Sequence, residues 1–250
     1  MSRLEDIIRF YTLLDRLEQA LGGKRTLADS NGKSNWPRRG VYFFFEPGER
    51  RRDSGSGPRL VRIGTHALKT GSQTSLWSRL SQHRGSGSNE GGNHRGSIFR
   101  LLVGTAIKAR DSIDRIETWG IKADKGHAAA QFGLSHEQLR AFEAPLEILV
   151  SRHIRALPFL WLEIDDEPGS DSARGFIERN SIALLSNYGK DPIDSNSAGW
   201  LGHRTDRPKV RLSGLWNNNH VDEVYRPDFL TRFEALIESG AGRSIAMVHH

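Results

Sequence analysis

The sequence predicts an α/β fold: a small three-stranded antiparallel central sheet flanked by helices, with N- and C-terminal extensions. Three patterns predict it. GVYFFFE (40–46) and RLVRIGT (59–65) are apolar and rich in β-formers, and a Gly/Pro-rich turn joins them, so they read as a hairpin. LPFLWLEID (157–165) has the same character and supplies a third strand. Stretches with apolar residues three and four apart precede, separate and follow these runs, as amphipathic helices require.

The elements follow in order. In RLEDIIRFYTLLDRLEQAL (3–21), Leu4, Ile7, Ile8, Tyr11, Leu14, Leu17 and Leu21 share one helical face, and Gly22-Gly23 ends the helix. ADSNGKSNWPRR (28–39) is a loop by composition, and PGERRRDSGSGP (47–58) is a turn with no apolar anchor. Along the first strand, alternation puts Tyr42 and Phe44 on one face and Phe43 and Phe45 on the other, so both faces are apolar. SLWSRLSQHR (75–84) has helical spacing, with Arg79 and His83 four apart. GSGSNEGGNHRG (85–96) reads as a mobile, low-complexity loop. SIFRLLVGTAI (97–107) suits a strand or a buried helix equally, and 108–134 is weakly patterned. Ser135-His136-Glu137-Gln138 looks like an N-cap opening a helix to Leu157. After the third strand come a turn, a helix in RGFIERNSIALLSNY (174–188), a loop to His203, a short strand within VRLSGLWNNNHV (210–221) and a short closing helix at 226–240. The chain divides into an N-terminal helix and loop (1–37), a core with insertions (38–198) and a C-terminal extension (199–250).

Composition bounds the function. The 250 residues carry a net charge of +6 and no cysteine, which excludes a disulfide scaffold, a cysteine zinc site and a thiol nucleophile. No apolar run approaches the roughly 20 residues of a membrane span, and the N-terminus lacks the apolar stretch of a signal peptide, so a cytoplasmic protein is expected. The charge is concentrated: residues 38–110 hold 14 Lys/Arg against four acids, a net of +10. A nucleic-acid partner is the natural reading of such a segment, and a solvated basic face is the ordinary alternative.

Gly40-Val41-Tyr42, Arg62-Ile63-Gly64, Arg79 with His83, and Ile177-Glu178-Arg179-Asn180-Ser181-Ile182 occur in order, on a strand, a strand, a helix and a helix. In this the chain resembles the GIY-YIG nucleases over about residues 38–196, with insertions at 47–58, 66–74 and 84–156. Arg62 stands where the second tyrosine of that family usually stands.

The resemblance implies a metal-dependent endonuclease hydrolysing phosphodiester bonds in DNA, with RNA not excluded, using Mg²⁺ or Mn²⁺. It implies that Glu178 holds the metal and that Arg79 clamps the scissile phosphate. Tyr42 acts as general base or positions water, so that Tyr42 or a metal-bound hydroxide supplies the attack. His83 donates to the phosphate or moves a proton, and Arg62, a guanidinium and therefore a poor base, binds phosphate or orients water. The family asparagine after the glutamate helix corresponds to Asn196 by context, with Asn187 competing.

The chemistry of these residues agrees. A carboxylate is a hard ligand suited to Mg²⁺, an arginine fork matches two phosphate oxygens, and histidine titrates near neutrality. Each also has an ordinary alternative: a solvated glutamate or histidine, a surface arginine, a core tyrosine. Arg50, Arg51 and Arg52 are expected to grip flanking DNA backbone. A catalytically inactive nucleic-acid-binding module on the same fold is the rival reading, and a protein-interaction domain meeting an acidic partner is a second. His203 and His220, with WNNNH, lack ligand spacing and are set aside, as are Asp165, Asp166 and Glu167, read as an acidic turn. Trp200 and Trp216 read as core. One metal site makes one cut, so a double-strand cut needs a homodimer or rebinding, with residues 1–21 and the final helix as candidate faces. A restriction-like or phage-defence role would fit a standalone nuclease with inserted loops.

Overall fold

The computed structural model describes residues 2–86, 91–121 and 125–246. The expectation of a mobile loop at 85–96 therefore falls in part, at 87–90, outside the described residues. The elements are α1 (Arg3–Leu21), β1 (Arg25–Thr26), β2 (Gly40–Arg50), β3 (Pro58–Gly64), α2 (Leu76–Arg84), α3 (Ile98–Arg110), α4 (Lys125–Gln131), α5 (His136–Arg155), β4 (Pro158–Glu163), α6 (Ala173–Leu185), α7 (Pro208–Ser213) and α8 (Phe229–Ala246), with 3-10 turns at His94–Gly96 and Leu201–Arg204. No described helix is long and apolar enough to cross a membrane.

The expected antiparallel sheet is present. β2 is central, with β3 on one side and β4 on the other; the two-residue β1, not anticipated, pairs with β4 and makes the order β1-β4-β2-β3. Tyr42 lies opposite Gly64 on β3 and Trp161 on β4. Toward its far end the β2–β3 register shifts on either side of Phe45. Pro47, which has no N–H to give, and Gly48, at φ 91°, lie within that stretch.

Both faces of β2 are covered, as its composition demands. Val41, Phe43 and Phe45 face a layer built from α1, α6 and α8, with Phe10, Phe229 and Phe233 at its centre. Tyr42 and Phe44 face α2, α3 and α5, where Leu76, Leu80, Phe99 and Val150 are buried. The helices of the two terminal segments thus share one core with the sheet. The buried faces of α1 and α8 are spent inside the chain, and Arg9 and Arg16 of α1 both pair with Glu234 of α8.

Three local expectations need correction or completion. Residues 98–110 are helix: Ser97 caps the first turn by accepting from the Arg100 amide, and Phe99, Leu102, Val103 and Ala106 bury one face. Within 210–221 the expected strand is absent, since Val210–Ser213 belong to α7, which has proline in its first turn and ends at Gly214 in the left-handed conformation. The weakly patterned 108–134 contains α4. The helix from Ser135 forms with its full capping box, although it carries Pro145 inside.

The placement of α1 predicts the effect of truncating Phe10. It is fully buried against Tyr11, Phe43, Phe229 and Phe233. Phe10→Ala is expected to lower unfolding free energy in urea by about 3–5 kcal/mol. A loss under about 1 kcal/mol would mean that α1 is an appendage rather than core.

Candidate active site

The site lies where β2 begins and β3 ends. Two glycines make the close approach there possible. A Cβ on Gly40 would collide with the Leu162 carbonyl, and one on Gly64 would fall on the Tyr42 ring and hydroxyl. Tyr42 is fully buried, and its hydroxyl lies 2.8 Å from His83 Nε2. His83, also fully buried, comes from the inward face of α2, and its Nδ1 lies 2.7 Å from Ser97 Oγ at the cap of α3. Burial and the charges of Arg79, Arg62 and Arg100 hold its pKa well below the ordinary value, so the imidazole is neutral.

Arg62 sits on β3 opposite Phe44. Its guanidinium donates to the Trp216 carbonyl, stacks 4.8 Å over Phe99, and lies in polar contact with the Tyr42 phenol. Its Nε is buried without a partner. Arg79, half-buried on α2, donates to Gln82 Oε1 (2.9 Å) and the Gly96 carbonyl (3.2 Å) through Nη1. Its charge reaches Arg62, His66, His83 and Glu178.

Glu178 comes from α6, on the other side of the sheet. Its Oε1 accepts from the Thr65 amide at 3.1 Å, just past β3, and the Thr65 hydroxyl ties that turn to the Gly40 carbonyl. Desolvation raises its pKa, against the opposing charges of Arg62, His220 and Arg79. Among the described residues, none of Arg62, Arg79 and Glu178 is in a salt bridge; each is held by neutral groups.

Five expected residues, Tyr42, Arg62, Arg79, His83 and Glu178, therefore meet. Others do not. Asn196 is at the opposite end of the hairpin, bonded to His203 Nε2 at 3.0 Å and next to Ser197, which caps Glu49. Asn187 is locked into a structural network with Arg3 and the backbone of Ile193. Arg50, Arg51 and Arg52 sit at the β2–β3 turn, about 25 Å along the strand from Tyr42. Arg51 folds back onto the Ser54 and Ser56 carbonyls and the Tyr11 ring. The basic segment is also less of a free surface than its charge suggests. Arg59 pairs with Glu49, Arg95 with Glu143 and Arg100 with Glu147, all nearly shielded from solvent.

Sequence reasoning missed the contribution of the WNNNH stretch. The Trp216 amide donates to the Val61 carbonyl at 2.6 Å, and the buried Asn217 carboxamide both accepts from Ile63 N (3.1 Å) and donates to Ile63 O (2.8 Å). Residues 216–217 thus close the open edge of β3 and bring His220 into the field of Glu178, where it bonds Glu223 at 2.6 Å. The run of three asparagines was the available signal. Asp166 is engaged by Arg174.

As a metal site the arrangement offers one carboxylate. Oε2 of Glu178 has no hydrogen-bond partner among the described residues, and no group of three His, Cys, Asp or Glu able to hold an ion occurs among them. A single carboxylate oxygen suits Mg²⁺, which retains waters and takes its other ligands from phosphate.

Burial of the histidines has a consequence in pH. The pKa values of His66 and His153 are pushed down to about 4, and that of His83 falls well below its ordinary value. Below about pH 6.5 the unfolded chain binds protons that these groups refuse when folded, so stability falls as pH falls. Glu46 and Glu178, raised by burial, titrate with the opposite sign. His83→Gln isolates one term: between pH 6.5 and 5 the variant should lose about 2 kcal/mol less than wild type in urea denaturation. Equal losses would contradict a neutral buried His83.

A family model described as "GIY-YIG domain" matches residues 1–242. No curated protein and no solved structure matches the chain. The match extends well beyond the 38–196 of the sequence resemblance, and it takes in α1 and α8, which the fold places in the same core as the sheet.

Proposed function

Because the chain belongs to the GIY-YIG family, whose domains are generally endonucleases, we propose that it is a divalent-metal-dependent endonuclease hydrolysing phosphodiester bonds in DNA. One observation carries the reading: two arginines and a carboxylate converge at the end of the hairpin, with no salt bridge to any of them among the described residues. In a structural ion pair the charges cancel. Here neutral carbonyls, amides and a ring hold them, and the charge is left for a substrate.

In this reading Arg79, the half-exposed cation, binds the scissile phosphate through the guanidinium edge not committed to Gln82 and Gly96. Arg62 lies deeper and compensates the negative charge that develops on the phosphate. Glu178 is the residue that would hold Mg²⁺ or Mn²⁺, which polarises the phosphate and lowers the pKa of bound water. Tyr42, behind these groups, is oriented by His83 and presents its oxygen toward Arg62. The fully buried phenol and the arginine at position 62 favour the alternative, a binding module that has lost the chemistry.

Supercoiled plasmid with Mg²⁺ or Mn²⁺ separates the two. The wild type is expected to nick it, Glu178→Ala to lose at least about 10³-fold in rate while still binding DNA, and Arg79→Ala to lose about 10²–10³-fold. Cleavage surviving in Glu178→Ala would end the assignment. DNA binding that weakens steeply with salt, without cleavage by the wild type, would establish the binding module.

A further inference from the structure

We propose that Ser97 is a positioning residue of this site: its Oγ accepts the His83 Nδ1 proton and so turns the His83 Nε2 lone pair onto the Tyr42 hydroxyl. The proposal rests on the nuclease reading for its effect on cleavage, but the proton assignment stands apart from that reading.

The geometry is a buried chain of three polar groups. Tyr42 and His83 are fully buried and Ser97 is 1% exposed. The links are 2.8 Å from Tyr42 Oη to His83 Nε2 and 2.7 Å from His83 Nδ1 to Ser97 Oγ. A neutral imidazole has one donor and one acceptor nitrogen, so the chain runs in one of two directions. In one, Ser97 donates to Nδ1, Nε2–H donates to the Tyr42 oxygen, and the phenol proton points away. In the other, the phenol donates to Nε2, and Nδ1–H donates to Ser97.

The surroundings choose the second. Among the described residues the phenol proton has no other acceptor, and the group beside the Tyr42 oxygen is the Arg62 guanidinium, itself a donor. A proton turned toward that cation is repelled; a lone pair turned toward it is attracted. At the other end, Ser97 Oγ takes the Arg100 amide at 3.3 Å as the cap of α3 and has a second lone pair for Nδ1–H. The charged groups that bear on His83 are Arg62 from β3, Arg79 from α2 and Arg100 from α3, and Arg100 also donates to the His83 carbonyl. All are cations, which keeps the ring neutral and preserves its single-proton tautomer. The result fixes the Tyr42 oxygen with its lone pairs toward Arg62 and the phosphate side. Helix α3 thereby reports to the site through a residue outside the sequence pattern.

The test uses ¹⁵N-histidine-labelled full-length protein with His83 assigned by loss of its signals in His83→Gln. Ser97→Gly removes the hydroxyl while leaving an acceptable cap, and Ser97→Thr keeps both. In the wild type and Ser97→Thr, Nδ1 should be protonated and Nε2 unprotonated; in Ser97→Gly the tautomer should become mixed or reverse. Plasmid cleavage should fall about tenfold or more in Ser97→Gly with DNA affinity unchanged, and recover in Ser97→Thr. A wild type carrying its proton on Nε2, or a Ser97→Gly variant with unchanged tautomer, overturns the proposal. The expected tautomers in a wild type that never cleaves DNA would uphold the proton assignment and defeat the nuclease reading instead.

Discussion

Strand β2 is apolar on both faces, and the molecule is arranged to keep both of them dry. From Gly40 to Phe45 no residue is more than slightly exposed. Such a strand needs a neighbour on each edge and a helical layer on each face. β3 and β4 supply the edges, α1, α6 and α8 one layer, and α2, α3 and α5 the other. The segments outside the hairpin are for this reason part of the fold's stability. A strand buried on both sides also has no room for unsatisfied polar groups along its length. The buried polar side chains therefore collect toward its ends: Glu46, Glu49 and Arg59 at one, and Tyr42, Arg62 and His83 at the other, where the partly buried Glu178 also lies.

The two ends are built differently. At the far end the arginine is closed by a carboxylate. Glu49 pairs with Arg59, and Glu46 accepts both the Trp200 and Trp216 indoles at 3.0 Å. Around α3 and α5, Arg100, Glu147 and His94 close in the same way. At the near end the charges stay open, each arginine and the carboxylate held by neutral partners. Burying open charge is costly unless a ligand offsets it, and in the proposed function this asymmetry marks the near end as the functional one. The edge-closing segment at Trp216–Asn217 and the capped turn at Ser97 hydrogen-bond to this open end from two sides.

Much of this was legible in the sequence because it is written in short-range patterns. Period-two and period-3.6 apolar spacing gave the hairpin and most helices, and the order of Gly40, Tyr42, Arg62, Arg79, His83 and Glu178 picked out residues that the fold brings together. What was illegible depends on partners remote in the chain. The apolar 97–107 run has no period that separates helix from strand, and α3 was decided by the Ser97 cap and by packing against α5. Asn196 matched by context in a loop of unusual length, while the asparagine that meets β3 beside Arg62 is Asn217. The basic excess of 38–110 looked like surface because the acids that bury Arg95 and Arg100, Glu143 and Glu147, lie some 50 residues on.

In the proposed function a phosphodiester and a divalent cation meet at the open end of the hairpin. The most direct measurement is a crystal structure with a DNA duplex and Ca²⁺, an ion that takes the same oxygen ligands. The cation is expected on the Glu178 carboxylate, and a phosphate oxygen within hydrogen-bond distance of the Arg79 guanidinium. DNA held elsewhere, for instance at the Arg50–Arg52 turn, with the cation away from Glu178, would contradict it.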